Sequence, residues 1–397
     1  MSMADRTRTP ADAAPLTAVR SLVVISDRIA WGDPTDAQGG APWSGLDPQA
    51  RPWRGADSPP PEVTGGYLER LPLACIAAGI VDQAEIWHHQ HGGARAPFAA
   101  AGSRLGYRAF RLDDPVAPFD NRDMIAFVRA FGAPHILVVY GLGVSVELLA
   151  ACANSIVIYN SIDAPTLRVP AEVSARFDLV LTGARWQSDE VAARHPGMRT
   201  AIIPVGPEFA AIDQFRPLGL PRDYDLIYVA AAQPYKRHDI LLDAFDRLPR
   251  DVRGLFLFGY GEDAGALRAQ IAARGLSIDC IGPPGVPFEE VNRLMNRARF
   301  GVVCGRDDGA PAILTEYMLA GLPVLANAEL ACGTQYILPD TGMLAAPADF
   351  ADAIMTMREA YARFRPREAV MARWTWPHTI DRLRPQLAEM ARQINLP

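Results

Sequence analysis

Short apolar runs recur along the chain, each followed by a segment of helical periodicity. Residues 21–26 (SLVVIS), 135–140 (HILVVY), 155–159 (SIVIY), 177–182 (FDLVLT) and 201–205 come first, followed by 224–231 (YDLIYVAA), 255–258, 278–282, 300–303 and the run at Val324. Such runs are too short for buried helices and are not alternating, the mark of strands covered on both faces of a parallel sheet. Helices are predicted over 67–78, 121–131, 144–153, 187–194, 240–248, 288–298, 350–363 and 379–394, with others ending at Arg274 and starting near Pro311. Strand and helix alternate in two halves, each opening on a buried strand, which predicts an α/β chain of two Rossmann-like domains. Pro204, Gly206, Pro207 and Pro217 punctuate a linker between them. The boundary therefore falls near 206–220, giving a first domain over 20–206 and a second over 207–376. Residues 1–19 are small, polar and interrupted by proline, a disordered lead-in.

Two stretches break the alternation. Residues 31–63 hold seven prolines and the tryptophans Trp31, Trp43 and Trp53, too irregular for an element and longer than most internal loops. The stretch reads either as a lid on the acceptor side of a site or as a passive packed insertion. His88, His89 and His91 crowd together without an accompanying carboxylate or cysteine pattern, so a loop facing the site after the second strand is expected rather than a metal centre.

The 397 residues are 49% hydrophobic with a net charge of -6, which argues against the basic footprint of a nucleic-acid binder. With no signal-like segment and no apolar run long enough to span a bilayer, the expectation is a cytoplasmic protein, at most peripheral to a membrane. The five cysteines are scattered among apolar neighbours and read as reduced core residues.

Candidate chemistry concentrates at residues 304–327, CGRDDGAPAILTEYMLAGLPVLAN. Pro311 suits the first turn of a helix, where its missing N–H has no partner to lose. The amides around Gly309, Ala310, Pro311, Ala312 and Ile313 then form an anion site. Asp308 beside them, and Glu316 about two turns along, suit the hydroxyls of the same ligand. Phosphate on amides with hydroxyls on carboxylates describes a sugar nucleotide. Lys236, just before a helix, can set its ammonium beside such a phosphate, and the paired Gly65 and Gly66 allow close backbone approach. Gly259 and Gly261 open a glycine-rich turn that imitates a dinucleotide fingerprint, with Asp279 near the place of its ribose-binding acid. Its spacing is GxGxxxG, and it does not open its domain.

With Asp308 and Glu316 in an acid-x7-acid spacing, followed by Ala320-Gly321-Leu322-Pro323-Val324, the chain resembles the retaining GT-B glycosyltransferases, glycosyltransferase family 4 above all. The Gly65-Gly66 turn, Lys236, the aspartate-led strand at Asp178 and the Pro-x-Gly at Pro204 extend the likeness. The resemblance implies two parallel-sheet domains facing a cleft, the first taking the acceptor and the second the donor nucleotide. It also implies that the helix over 377–397 crosses back to the first domain. The activity it implies is metal-independent, retaining transfer of a hexose from a nucleotide-diphosphate sugar to a hydroxyl of a glycan, lipid or small natural product, with no further cofactor. Asp308, Lys236 and Glu316 would be catalytic. Gly65, Gly66, Asn160, Arg237, Gly259, Gly261, Gly309, Ala310, Pro311, Ala312 and Ile313 would bind the donor, while Trp31, Trp43, Trp53, His88, His89 and His91 would lie on the acceptor side. Three positions depart from the family: Asp308 replaces its usual glutamate, Asn160 stands where it has a histidine, and Ala231 replaces the arginine five residues before Lys236, with compensation by Arg237 left open. Two other readings share the fold: a nucleotide-sugar 2-epimerase drawing acid-base groups from the histidine cluster, and a catalytically inactive sugar-nucleotide-binding protein. A dehydrogenase on the 259–265 turn is the remaining one.

Overall fold

In the computed structural model the described residues are 20–31, 66–91, 99–101, 104–112, 114–160, 169–203, 212–309 and 311–394. The chain divides into two compact units, Met1–Ile203 with Trp376–Pro397, and Pro204–Thr375. The first holds β1 (Ser21–Trp31), β2 (Gln83–His91), β3 (Ala99–Ala101), β4 (Leu105–Leu112), β5 (Ile136–Val139), β6 (Ile156–Tyr159), β7 (Leu179–Thr182) and β8 (Arg199–Ile202) in the order β3-β4-β2-β1-β5-β6-β7-β8. Its helices are α1 (Arg70–Ala77), α2 (Arg122–Phe131), α3 (Val146–Ala151), α4 (Ala171–Ser174) and α5 (Arg185–Arg194). Only β3 pairs antiparallel among the described strands, at the edge against β4. Leu22, Val23 and Val24 are wholly buried, as an uninterrupted apolar strand requires when helices cover both sheet faces.

The second unit repeats the plan with β9 (Tyr224–Val229), β10 (Gly254–Leu257), β11 (Ile278–Ile281), β12 (Ala298–Val303), β13 (Val324–Asn327) and β14 (Gly342–Ala345), ordered β11-β10-β9-β12-β13-β14 and parallel throughout. Its helices are α6 (His238–Phe245), α7 (Ala264–Arg274), α8 (Phe288–Met295), α9 (Ile313–Leu319), α10 (Phe350–Ala360) and α11 (Pro366–Arg373). The final helix α12 (Trp376–Gln393) belongs to the first unit, where the Arg384 guanidinium donates to the Ala78 carbonyl and Arg199 pairs with Glu389. Each unit is Rossmann-like, a wholly or mainly parallel sheet with helices between its strands. Among the described residues no helix is long and apolar enough to cross a membrane.

Local chemistry sets the element ends. Asn121 and Ser145 cap α2 and α3 by accepting from the Met124 and Leu148 amides, each cap contributing about 1 kcal/mol. The strand β4 was not expected, because Arg108 and Arg111 interrupt its apolar pattern. Arg108 is nevertheless buried, its guanidinium donating at 2.9 and 3.0 Å to Glu85 on the neighbouring β2, whose carboxylate also accepts from Trp87 Nε1. A buried charge is tolerated when it is paired in this way.

The histidine cluster also lies elsewhere than expected. His88 and His89 sit within β2, not in a loop beyond it, and both are wholly buried; His91 ends the strand. His88 stacks on Tyr107, and His89 packs against Phe119 with the Asn121 amide 3.2 Å from its Nδ1. Neither His88 nor His89 is accessible to an acceptor, and both are lost as acid-base groups to the epimerase reading. Trp31 is the last residue of β1, while Trp43 and Trp53 lie outside the described residues.

Burial pushes the pKa of both His88 and His89 down to about 3, from an ordinary 6.5. A histidine held neutral in the fold gives stability that is complete above about pH 6.5 and lost as pH falls toward 3, by up to about 1.4 kcal/mol per pH unit for each ring. Urea unfolding at pH 7 and pH 4 should therefore show a lower midpoint in acid. In His88→Phe that acid loss should shrink by the share of one proton.

Candidate functional site

In each sheet the first strand has its successors on one side and a later strand on the other, so the order reverses beside β1 and beside β9. Open α/β sheets bind ligands beyond the carboxyl ends of their strands at this switch point. In the second unit the reversal lies between β9 and β12, and the segments leaving these two strands carry Lys236 and Asp308. The Lys236 ammonium donates to the Asp308 carboxylate, and the side chains are 17% and 10% exposed. Lys236 closes a tight 3-10 turn over Pro234–Lys236. Its carbonyl accepts from the hydroxyl of Tyr228, a buried residue of β9. Arg237 follows in the left-handed region at φ 54°, the single such non-glycine residue among those described. A strained backbone of this kind costs on the order of 1 kcal/mol and persists where its surroundings fix it.

The loop carrying Asp308 is held from behind. The Asn327 amide of β13 donates to the Cys304 carbonyl at 3.0 Å, and the Ala331 N–H donates to Arg306 at 2.8 Å. The helix that follows starts at Ile313 instead of Pro311, its first turn tightened by bonds from Leu314 to Pro311 and from Thr315 to Ala312. Tyr317 locks α9 to the sheet: its ring lies against Gly301, its hydroxyl accepts from the Val229 N–H at 2.7 Å, and it donates to the Ile227 carbonyl at 3.2 Å. Glu316, beside it, is half-buried. Ala310 lies outside the described residues; Gly309, Pro311, Ala312 and Ile313 line the way from Asp308 into the helix.

Arg237 does not join Lys236. Its guanidinium forks onto Asp239 at 2.8 to 3.1 Å, because the left-handed turn sends it toward the start of α6. Ala231 is buried and apolar, so it gives Lys236 no cationic partner.

The two glycines after β10 differ in role. Gly261 has φ 119°, and a Cβ there would fall 2.3 Å from the Ala232 carbonyl oxygen, whereas a Cβ at Gly259 would meet nothing within 4 Å. The Ala232 N–H donates to the Tyr260 carbonyl at 2.7 Å, and its carbonyl accepts from Asp263 at 3.1 Å. Gly261 thus lets the loops after β9 and β10 touch backbone to backbone. Asp279 is no ribose ligand: it faces Leu255 in the β10–β11 ladder, near the strand starts, and pairs with Tyr224 and Arg253. The turn 259–265 lies at the opposite end of β10, which removes the dehydrogenase reading.

At the switch point of the first unit the described residues include Gly66 but not Gly65. The Gly66 N–H donates at 3.0 Å to the buried carboxylate of Glu69, which also accepts from the Tyr107 hydroxyl. The turn before α1 is therefore held by a buried acid. Asn160, at the end of β6, is buried and donates to the Tyr140 hydroxyl at 2.6 Å; Tyr140 in turn donates to the Tyr67 carbonyl at 2.9 Å. The Tyr67 hydroxyl donates to Asp27, which projects from β1 where its register shifts between Ile25 and Ile29. Asp27, Tyr67 and Tyr140 were not singled out in the sequence, nor were Tyr235 and Tyr260 in the second unit. The signal for Asp27 was its place directly after the first apolar run; the tyrosines carried none. Among the described residues no group of three or more histidine, cysteine, aspartate and glutamate side chains is arranged to hold a metal ion.

Against this geometry, residues 212–365 match the family model described as glycosyl transferases group 1. This segment resembles the domain that the group 1 glycosyltransferase model describes. It takes in β9 to α10, and with them Lys236, Asp308 and Glu316. No curated protein sequence matches the chain. Among solved structures, sucrose-phosphate synthase from Thermosynechococcus elongatus is similar over 94% of this chain and 99% of its own, with 16% identity and a TM-score of 0.64. Anabaena HepE in complex with UDP and glucose is similar over 93% and 100%, with 15% identity and a TM-score of 0.61; its complex with UDP-glucose gives 16% identity and 0.58. At these identities the likeness establishes the fold, the GT-B architecture of two Rossmann-like units. The second unit depends on backbone contact at Gly261, so Gly261→Ala should lower unfolding stability by about 1–3 kcal/mol. Gly259→Ala should stay within about 0.5 kcal/mol of the parent in the same denaturant titration.

Proposed function

We propose that the chain is a retaining, metal-independent glycosyltransferase that moves a hexose from a nucleotide-diphosphate sugar to an acceptor hydroxyl. The observation that carries this reading is the Lys236–Asp308 pair at the switch point of the second sheet, within the segment that matches the group 1 model. The HepE structures in complex with UDP and with UDP-glucose support a nucleotide-sugar donor.

In this reading Lys236 stabilises the negative charge that grows on the departing nucleoside diphosphate, commonly the largest single catalytic contribution. Asp308 is the counter-ion of Lys236 before the donor arrives. Once the phosphate takes the ammonium, its carboxylate accepts from a hydroxyl of the sugar. Glu316 accepts from hydroxyls of the ribose, and the amides following Asp308 receive phosphate oxygens. The anchored α9 and the Tyr228 bond hold these groups in place, so little reorganisation is needed when charge develops. Acceptor binding belongs to the first unit, whose Gly66 and Asn160 at the other switch point serve the donor side.

Lys236→Ala should lower kcat/KM for the accepted sugar nucleotide by about 100-fold or more, the scale of losing one charge-stabilising donor. A panel of sugar nucleotides in a thermal-shift assay should reveal the donor by a raised midpoint. Full activity of both Lys236→Ala and Glu316→Ala on every accepted donor would refute the assignment. Transfer should also continue undiminished in excess chelator, and a strict requirement for added divalent metal would contradict it.

A further inference from the structure

Two exposed aromatic side chains flank the Lys236–Asp308 pair. Tyr235 immediately precedes Lys236 and is 38% exposed; Tyr260 lies in the glycine turn after β10 and is 54% exposed. They are not loose. The Lys236 ammonium sits over the Tyr235 ring, 4.8 Å from its centroid. The Tyr235 carbonyl packs close to Gly305, whose added Cβ would come within 3.3 Å of it and 3.6 Å of Asp308 Cβ. Tyr260 is fixed through its backbone, since its carbonyl accepts from the Ala232 N–H and the next residue is the glycine that no side chain can replace without a clash. The Tyr260 phenol interacts with that of Tyr235. Loops after β9, β10 and β12 therefore bring two phenols, one ammonium and one carboxylate to a single surface.

The Lys236 charge is balanced by its partner. Lys236 is matched by Asp308, Arg237 is turned away onto Asp239, and Ala231 offers nothing polar. A diphosphate bound beside this pair meets the anion together with the cation, so neutral hydrogen-bond donors next to them would add binding. Phenols serve this purpose: a hydroxyl pair can redirect its hydrogens to an anion that presents several oxygens, and it brings no charge of its own. Burial, and then the neighbouring Tyr235, hold the Tyr260 phenol above its ordinary range, so it remains a donor through neutral pH.

We propose that Tyr260 and Tyr235 are phosphate ligands of the donor site, their hydroxyls binding the oxygens of the nucleoside diphosphate beside Lys236. This rests on the donor reading above and deepens it. Because neutral donors add to a single cation, diphosphate binding should depend less on ionic strength than at sites built from several cations.

The test is calorimetric titration of the full chain with UDP, GDP and ADP, and with the matching nucleosides, for the parent, Tyr260→Phe, Tyr235→Phe and the double variant. Tyr260→Phe should weaken the diphosphate that the parent binds by about tenfold, the scale of a hydrogen bond to a charged group, and the double variant more. The nucleoside should bind each protein equally. Both tyrosines are exposed, so the thermal midpoint of each variant without ligand should match the parent and exclude unfolding as a cause. Unchanged diphosphate affinity in the double variant overturns the proposal and leaves the donor reading intact. An equal loss for the nucleoside also overturns it, because the rings would then stack on the base. If the parent binds none of the three diphosphates, the donor reading itself fails.

Discussion

The constraint on which the rest of the site depends is the placement of one ammonium and one carboxylate at the reversal of the second sheet. Lys236 and Asp308 come from strands adjacent in space but 72 residues apart in sequence, and each would be costly to bury alone. Pairing makes their burial tolerable. It also ties the loop after β9 to the loop after β12, the two edges of the crevice where such sheets bind ligands. The supporting bonds fit this need: Tyr228 fixes the lysine's backbone, Asn327 fixes the approach to the aspartate, and Tyr317 fixes the helix behind both. In the function proposed, this ion pair is a preformed phosphate site, since an incoming phosphate can replace one carboxylate with another anion.

Both units use the same device in different materials. In the first, a buried glutamate holds the glycine turn before α1, and a chain of hydroxyls and amides runs from Asp27 through Tyr67 and Tyr140 to Asn160. In the second, charge is matched directly, and close backbone contact at Gly261 brings a third loop to the crevice. The first site suits hydroxyl groups, which need acceptors and donors but no counter-ion. The second suits an anion, because it holds a cation whose partner can be displaced.

Much of the architecture was legible in the sequence. Buried parallel strands have a simple signature, and each continuous apolar run, from the residues around Val23 to those around Val302, became a strand. The pattern failed where polar residues were buried in pairs. Arg108 and Glu85 hid β4, and three histidines masked the strand character of β2, because a sequence does not show which partner neutralises a polar side chain. Lys236 and Asp308 were both chosen as site residues from local chemistry, a lysine before a helix and an acid at a helix start. That they bond to each other was not visible, since the contact crosses from β9 to β12. Arg237 was misplaced because its left-handed backbone, which no residue type announces here, turns the guanidinium toward Asp239. Tyr235 and Tyr260 were overlooked because a tyrosine in a turn has no signature of its own.

The central claim is that Lys236 and Asp308 act as one unit in binding the donor's phosphates, and a double-mutant cycle tests it most directly. Nucleoside diphosphate affinity would be measured for the parent, Lys236→Met, Asp308→Asn and the combined variant. The account predicts that Lys236→Met loses most of the affinity, that Asp308→Asn alone raises it by freeing the ammonium, and that Asp308→Asn has little effect once Lys236 is gone. Additive effects, with Asp308→Asn changing affinity equally in both backgrounds, would contradict it.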